Sequence, residues 1–216
     1  MIDATDFTIP GTNVFKNKRG ITDPTALLKA AADSTALRLA ELHASPIVGG
    51  FDSSHLQAIH RHLYQDIYDW AGELRRADVC DLPASEKAAS LDAILDRLRR
   101  ENHLKGFLPD EWALSASTYI YDLGAIQPFL AGNDVELREF AEELARKNNL
   151  SLQWGETPDL GMTEVTGHFY LSEQSANIRR MVMLAMDSAP NLSRPSRGNA
   201  VEREIKSLLL AGNSLL

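Results

Sequence analysis

Apolar residues recur along the chain with a period near 3.6, and the runs between breakers are of helix length. The first pattern starts at Thr22-Asp23-Pro24, a capping side chain before an early Pro, and runs through Ala- and Leu-rich sequence to about His43, where Ser45-Pro46 stops it. The second opens at Asp52 or Ser53, aligns Leu56, Ile59, Leu63 and Ile67, and closes at Trp70-Ala71-Gly72. Alternation over Glu73 to Cys80 predicts a short strand or hairpin arm. A third helix from Pro83-Ala84-Ser85 to about Asn102 aligns Leu91, Ile94, Leu95 and Leu98, and a fourth spans Pro109 to Ile126. The fifth begins at about Asp134 and turns Leu137, Phe140, Ala141 and Leu144 inward, before a short extended exit over Leu150 to Trp154. A sixth pattern covers about Ser172 to Ser188, with Ile178, Met181, Val182 and Ala185 aligned. Pro190 to Gly198 has linker composition, and Val201, Ile205, Leu208 and Leu209 stripe a last short helix. The expected fold class is therefore all-α with one small β element. The expected organisation is an irregular arm over residues 1–22, one helical domain over 23–188, and a linker with a terminal helix over 189–216.

Composition narrows the function classes. Of 216 residues, 44% are apolar, which is enough to form a core rather than a disordered chain. The net charge of −8 argues against general nucleic-acid binding. No apolar run reaches the roughly 20 residues of a membrane helix, and the first residues have neither the basic nor the apolar segment of a secretion signal. Cys80 is the one cysteine, so no internal disulfide forms and a reducing cytoplasm is the expected setting. His55, His60 and His62 sit on the second helix, but residues two apart diverge and no further ligands stand at metal spacing, so no metal site is expected. Trp70 and Trp154 read as core, while Arg75-Arg76, Arg97 and Arg99-Arg100 read as solvated.

The chemistry-bearing stretch is Ile126-Gln127-Pro128-Phe129-Leu130-Ala131-Gly132-Asn133-Asp134-Val135-Glu136-Leu137-Arg138. Pro128 and Gly132-Asn133 break the helical pattern, so a loop is pinched between the fourth and fifth helices. The N-terminus of the latter is an anion site by default. This stretch resembles the signature loop of the Fic (filamentation induced by cAMP) family, in which His-Pro-Phe is followed by an acid, Gly-Asn-Gly-Arg and a second Arg. Pro128, Phe129, Gly132, Asn133 and Arg138 match that pattern. Gln127 stands for the His, Ala131 for the acid, Asp134 for the second Gly and Val135 for the first Arg. The similarity extends to Asn17-Lys18-Arg19-Gly20-Ile21-Thr22-Asp23-Pro24 and to His60 through Arg75, in family order, and covers about residues 15 to 155.

The resemblance implies an all-α domain with a short β-hairpin flap, here Arg75, Arg76, Ala77, Asp78 and Val79, that docks the target protein. It also implies transfer of AMP from ATP to a protein hydroxyl, with the loop His as base and the loop acid on Mg²⁺. Gln127 accepts no proton and Ala131 offers no oxygen. Asp134 and Glu136 add carboxylates that oppose phosphate, and Val135 removes a guanidinium. Gly132, Asn133 and Arg138 remain as the nucleotide-binding remnant. An equal reading of those three is structural: a tight turn, a cap on the fifth helix and a charge on its exposed face. Three functions follow from this reading. One is a catalytically silent Fic-like domain that binds a protein partner or regulates, with no cofactor. Another is a nucleotidyltransferase of altered chemistry, using ATP and Mg²⁺ with Asp134 or Glu136 as base. The last is a structural member of a toxin pair or of a mobile-element, type IV secretion or conjugation assembly, where Fic-like proteins are often found.

Overall fold

The computed structural model describes residues 7–75, 84–152, 154 and 182–183. The architecture is helical: α1 Pro24–Ala44, α2 Ser53–Tyr64, α3 Ala84–Arg100, α4 Pro109–Ile126 and α5 Asn133–Lys147. α5 packs between α2 and α4, with α1 on the outside of α2 and α3 on the outside of α4. Among the described residues the only β pairing is a bridge between Thr8 and Phe15. The expected all-α class therefore holds. The hairpin at Arg76, Ala77, Asp78 and Val79, the linker and the terminal helix lie outside the described residues. From the sixth pattern, Val182 and Met183 are helical and Val182 is buried.

The helix starts follow from their caps. Asp23 Oδ1 accepts from Ala26 N–H at 2.7 Å, and Asp52 Oδ1 from His55 N–H at 2.9 Å. Glu111 reaches back to Leu108 N–H at 3.1 Å at the start of α4. Inward stripes follow the predicted period: Leu56, Ile59 and Leu63 of α2, Leu91, Leu95 and Leu98 of α3, and Leu137, Phe140 and Leu144 of α5 are buried. α2 ends at Tyr64, earlier than expected. The chain then turns through residues 65–72, yet Ile67 stays fully buried. Its four-residue spacing from Leu63 survives because Ile67 and Tyr68 N–H groups both still bond Tyr64 O at 3.0 Å.

The segment before α1 packs closely on the domain. Val14 is buried, Phe15 meets Tyr68 and Trp70 edge-on, and Lys18 N–H bonds Ile67 O at 2.8 Å. Arg38 of α1 grips Asp66 with two bonds of 2.8 Å, which holds the Asp66 carboxyl below its usual range. The turn Asn102–Leu104 places three successive residues at positive φ, and Asn148 Nδ2 spans it by donating to His103 O.

Candidate functional site

The loop between α4 and α5 is held from every side. α4 stops because Gln127 turns left-handed, with φ 47°, a conformation that costs a non-glycine residue about 1–2 kcal/mol. Pro128, Phe129 and Leu130 are buried, and Phe129 is fully so, as its role as the loop's large apolar anchor predicts. Gly132 sits at φ 81°, and a Cβ there would run into the Tyr64 ring. Only glycine fits both the dihedral and the approach.

Asn133 does not cap α5. Its Oδ1 accepts from Phe129 N–H at 3.0 Å, and its Nδ2 donates to Phe129 O at 3.0 Å. One side-chain amide thus closes the loop as a peptide group closes a strand pair, and the helix cap falls to Gly132.

Two residues outside the loop complete its frame. His60 of α2 lies under Phe129. Its Nε2 donates to Ala131 O at 2.9 Å, and its Nδ1 accepts from Gly72 N–H at 2.9 Å, which fixes the neutral tautomer. Burial lowers its pKa to about 4. Arg75 corrects the expectation of a solvated side chain. It is buried, donates from its backbone to Pro128 O at 2.7 Å, and sends Nε to Phe129 O and Nη2 to Leu130 O, both at 3.1 Å. The residue expected to begin the flap therefore holds the loop. Arg97 is likewise engaged, with Asp122 and Tyr119.

The α5 side of the loop carries the charge. Asp134 Oδ2 accepts from Arg138 Nε at 3.0 Å, both side chains being mostly covered, and the Arg138 guanidinium lies over the Trp154 ring. Arg138 is thus not an exposed charge. Glu136 is turned inward and fully buried, with neither oxygen hydrogen-bonded. Burial raises its pKa well above the usual carboxylate range. Fully buried, it is not placed at the loop surface for either role considered for it from sequence, opposing phosphate or acting as a base. Tyr64, beside it, is pushed up as well, by burial first and by Glu136 second.

The structure brings Gln127, Pro128, Phe129, Ala131, Gly132, Asn133, Asp134, Val135 and Arg138 into one loop and helix start. Gln127 is buried, and Ala131 and Val135 are half-buried. His60 and Arg75 are what sequence reasoning missed. Both lie in the quoted similar segment His60 to Arg75, and that was the one signal available for them.

The Fic/DOC family model matches residues 50–145. A probable protein adenylyltransferase Fic of Salmonella typhimurium is 36% identical over 152 residues, 67% of this chain and 74% of that protein. The chain belongs to the Fic/DOC family. Protein adenylyltransferase VbhT of Bartonella schoenbuchensis is 33% identical over 182 residues, and this chain spans 38% of its length. Among solved structures, the N-terminal FIC domain of Bep8, a VirB-translocated effector of Bartonella sp. 1-1C, superimposes with a TM-score of 0.75 at 23% identity, covering 87% of this chain and 97% of that one. A Bartonella quintana Fic domain with bound ADP gives 0.71 at 25% identity, covering 85% and 94%. No helix among the described residues is long and apolar enough to cross a membrane.

Proposed function

We propose that this Fic domain does not transfer AMP and that it acts by binding a protein partner. The observation that carries the reading is the Asp134–Arg138 pair, closed at 3.0 Å at the start of α5. Phosphate would have to displace a carboxylate already bonded to the one motif arginine that survives. Gln127 supplies no base beside it, Ala131 no metal ligand and Val135 no second guanidinium. A setting among type IV secretion or conjugation proteins fits the relatives described as VirB-translocated effectors, and we infer a reducing cytoplasm for the folded chain from its single cysteine.

A second reading has its own support. The loop backbone is still held in a turn by Gly132 and Asn133 above a helix N-terminus, and relatives carry the name adenylyltransferase. In that reading ATP and Mg²⁺ bind, and Asp134 rather than the buried Glu136 takes the proton. Calorimetric titration of the purified protein with ATP and Mg²⁺, alongside transfer of labelled AMP to candidate proteins, separates the two. The silent domain binds no tighter than about millimolar, about −4 kcal/mol, and labels nothing. Micromolar binding, or label lost on Asn133→Ala in a folded variant, establishes the enzyme instead.

A further inference from the structure

A second cluster of chemistry-bearing side chains lies away from the loop, where the C-terminal turn of α1 meets the middle of α5. His43 Nε2 stands 3.1 Å from Glu139 Oε2 and 3.5 Å from Glu142 Oε2, and the three atoms lie within 4.8 Å of one another. We infer that His43, Glu139 and Glu142 form a binding site for a divalent ion of the Zn²⁺ class, clasping α1 to α5.

Three features carry this inference. The donor set is mixed, one imidazole nitrogen and two carboxylate oxygens, which suits a borderline divalent ion better than the all-oxygen sets of Ca²⁺ or Mg²⁺. The 3.1 Å contact of His43 with Glu139 is a hydrogen bond, and the spacing it leaves also suits two ligands of one ion. A tetrahedral ion with bonds of about 2.1 Å holds its ligand atoms about 3.4 Å apart, and the two observed edges from His43 bracket that value.

The third feature is the surroundings. The Glu139 side chain has no exposure, and its other oxygen, Oε1, accepts from Arg146 Nη2 at 2.8 Å. Arg146 thus orients the carboxylate from the far side, as outer partners of metal ligands do. The His43–Glu139 hydrogen bond and the longer contact of Arg146 with Glu142, 3.4 Å, would be exchanged when an ion enters. The charge balance favours entry. Arg146 lies within 4.0 Å of three carboxylates, Glu139, Glu142 and Glu143, and only Glu143 has a buried histidine, His55, as a further partner. An open cavity of about 490 Å³, lined also by Leu39, Arg138 and Trp154, gives an ion its entry and room for a fourth ligand. Sequence spacing hides the set, because His43 and Glu139 are 96 residues apart.

The test uses the metals alone on the chelator-treated, untagged protein. Co²⁺ is titrated by visible absorption, and Zn²⁺ by calorimetry and by displacement of Co²⁺. The expected result is one ion per chain, with the intense d–d bands of a four-coordinate site that Zn²⁺ abolishes and excess Mg²⁺ leaves unchanged. His43→Ala and Glu142→Gln, with helicity verified by circular dichroism, each weaken binding by more than about 100-fold, beyond what loss of an outer partner does. His62→Ala, which removes a neighbouring histidine paired with Glu41, leaves binding unchanged. No saturable binding by the wild-type chain, or binding that survives both ligand variants, overturns the inference. It stands or falls independently of nucleotide binding at the loop.

Discussion

The imidazole of His60 lies face to face with the ring of Phe129, centroids 3.9 Å apart and planes 14° from parallel. The same imidazole spends both nitrogens on backbone, one on the loop at Ala131 and one on the turn at Gly72. The hydrogen bond that Nδ1 accepts from Gly72 N–H requires the neutral ring.

This requirement gives the first prediction a sign. The folded-state pKa near 4 lies below the ordinary value of 6.5. Below pH 6.5 the unfolded chain takes up a proton that the folded chain refuses until about pH 4. The His60 contribution is therefore complete above pH 6.5 and falls as pH drops toward 4, by up to about 3 kcal/mol. Urea unfolding at pH 7, 6 and 5 should show that decline in the wild type, and His60→Phe should lack it.

Glu136 runs the other way. Its folded pKa lies well above 4.5, so the unfolded chain loses a proton that the folded chain keeps as pH rises. Stability falls with pH from this group, by at most about 1.4 kcal/mol per unit. Glu136→Leu removes a buried acid with no hydrogen-bond partner and should stabilise the fold by about 1–3 kcal/mol at pH 7. The gain should be larger at pH 8 than at pH 5, read from urea midpoints at each pH.

Arg75 is tested by shape as much as by charge. Arg75→Ala strips guanidinium donors from two loop carbonyls and should cost about 2–4 kcal/mol. Arg75→Lys keeps the charge but not the fork, and should recover less than half of that loss in thermal or urea unfolding.

The loop side chains can be exchanged as a set. Gln127→His, Ala131→Glu, Asp134→Gly and Val135→Arg together restore a base, a metal ligand, close backbone approach and a guanidinium, and free Arg138 from Asp134. The quadruple variant should gain measurable ATP binding by calorimetry, whereas each single change should do almost nothing, because such groups act as a unit. A folded quadruple variant that ignores ATP would mean the pocket itself has been reshaped.

Helix identity and the loop's place were legible because they depend on local signals. Asp23, Asp52 and Pro109 mark starts, and the inward stripes of α2, α3 and α5 follow one period. Phe129 was legible for the same reason, as the only large aromatic in a short loop. Glu136 was not. Its charge reads as a carboxylate opposing phosphate or as a base, whereas the side chain is fully buried beside Leu137 on α5. Arg75 and His60 were read as surface and as one of several histidines. Their partners in the loop are backbone carbonyls more than 50 residues away, which carry no side-chain signature. The end of α2 was missed because Ile67 keeps helical spacing across a turn that is no longer helix.

The reciprocal pair between the Asn133 side chain and the Phe129 backbone has a consequence for hydrogen exchange. The Phe129 amide is buried, and its acceptor belongs to a residue of the following helix. Its exchange requires the Asn133 side chain to leave the loop backbone as well as the loop to open. Its protection should therefore approach that of the core helices without any ligand present. A loop ordered in this way before anything binds leaves a ligand or partner no local disorder to remove on arrival.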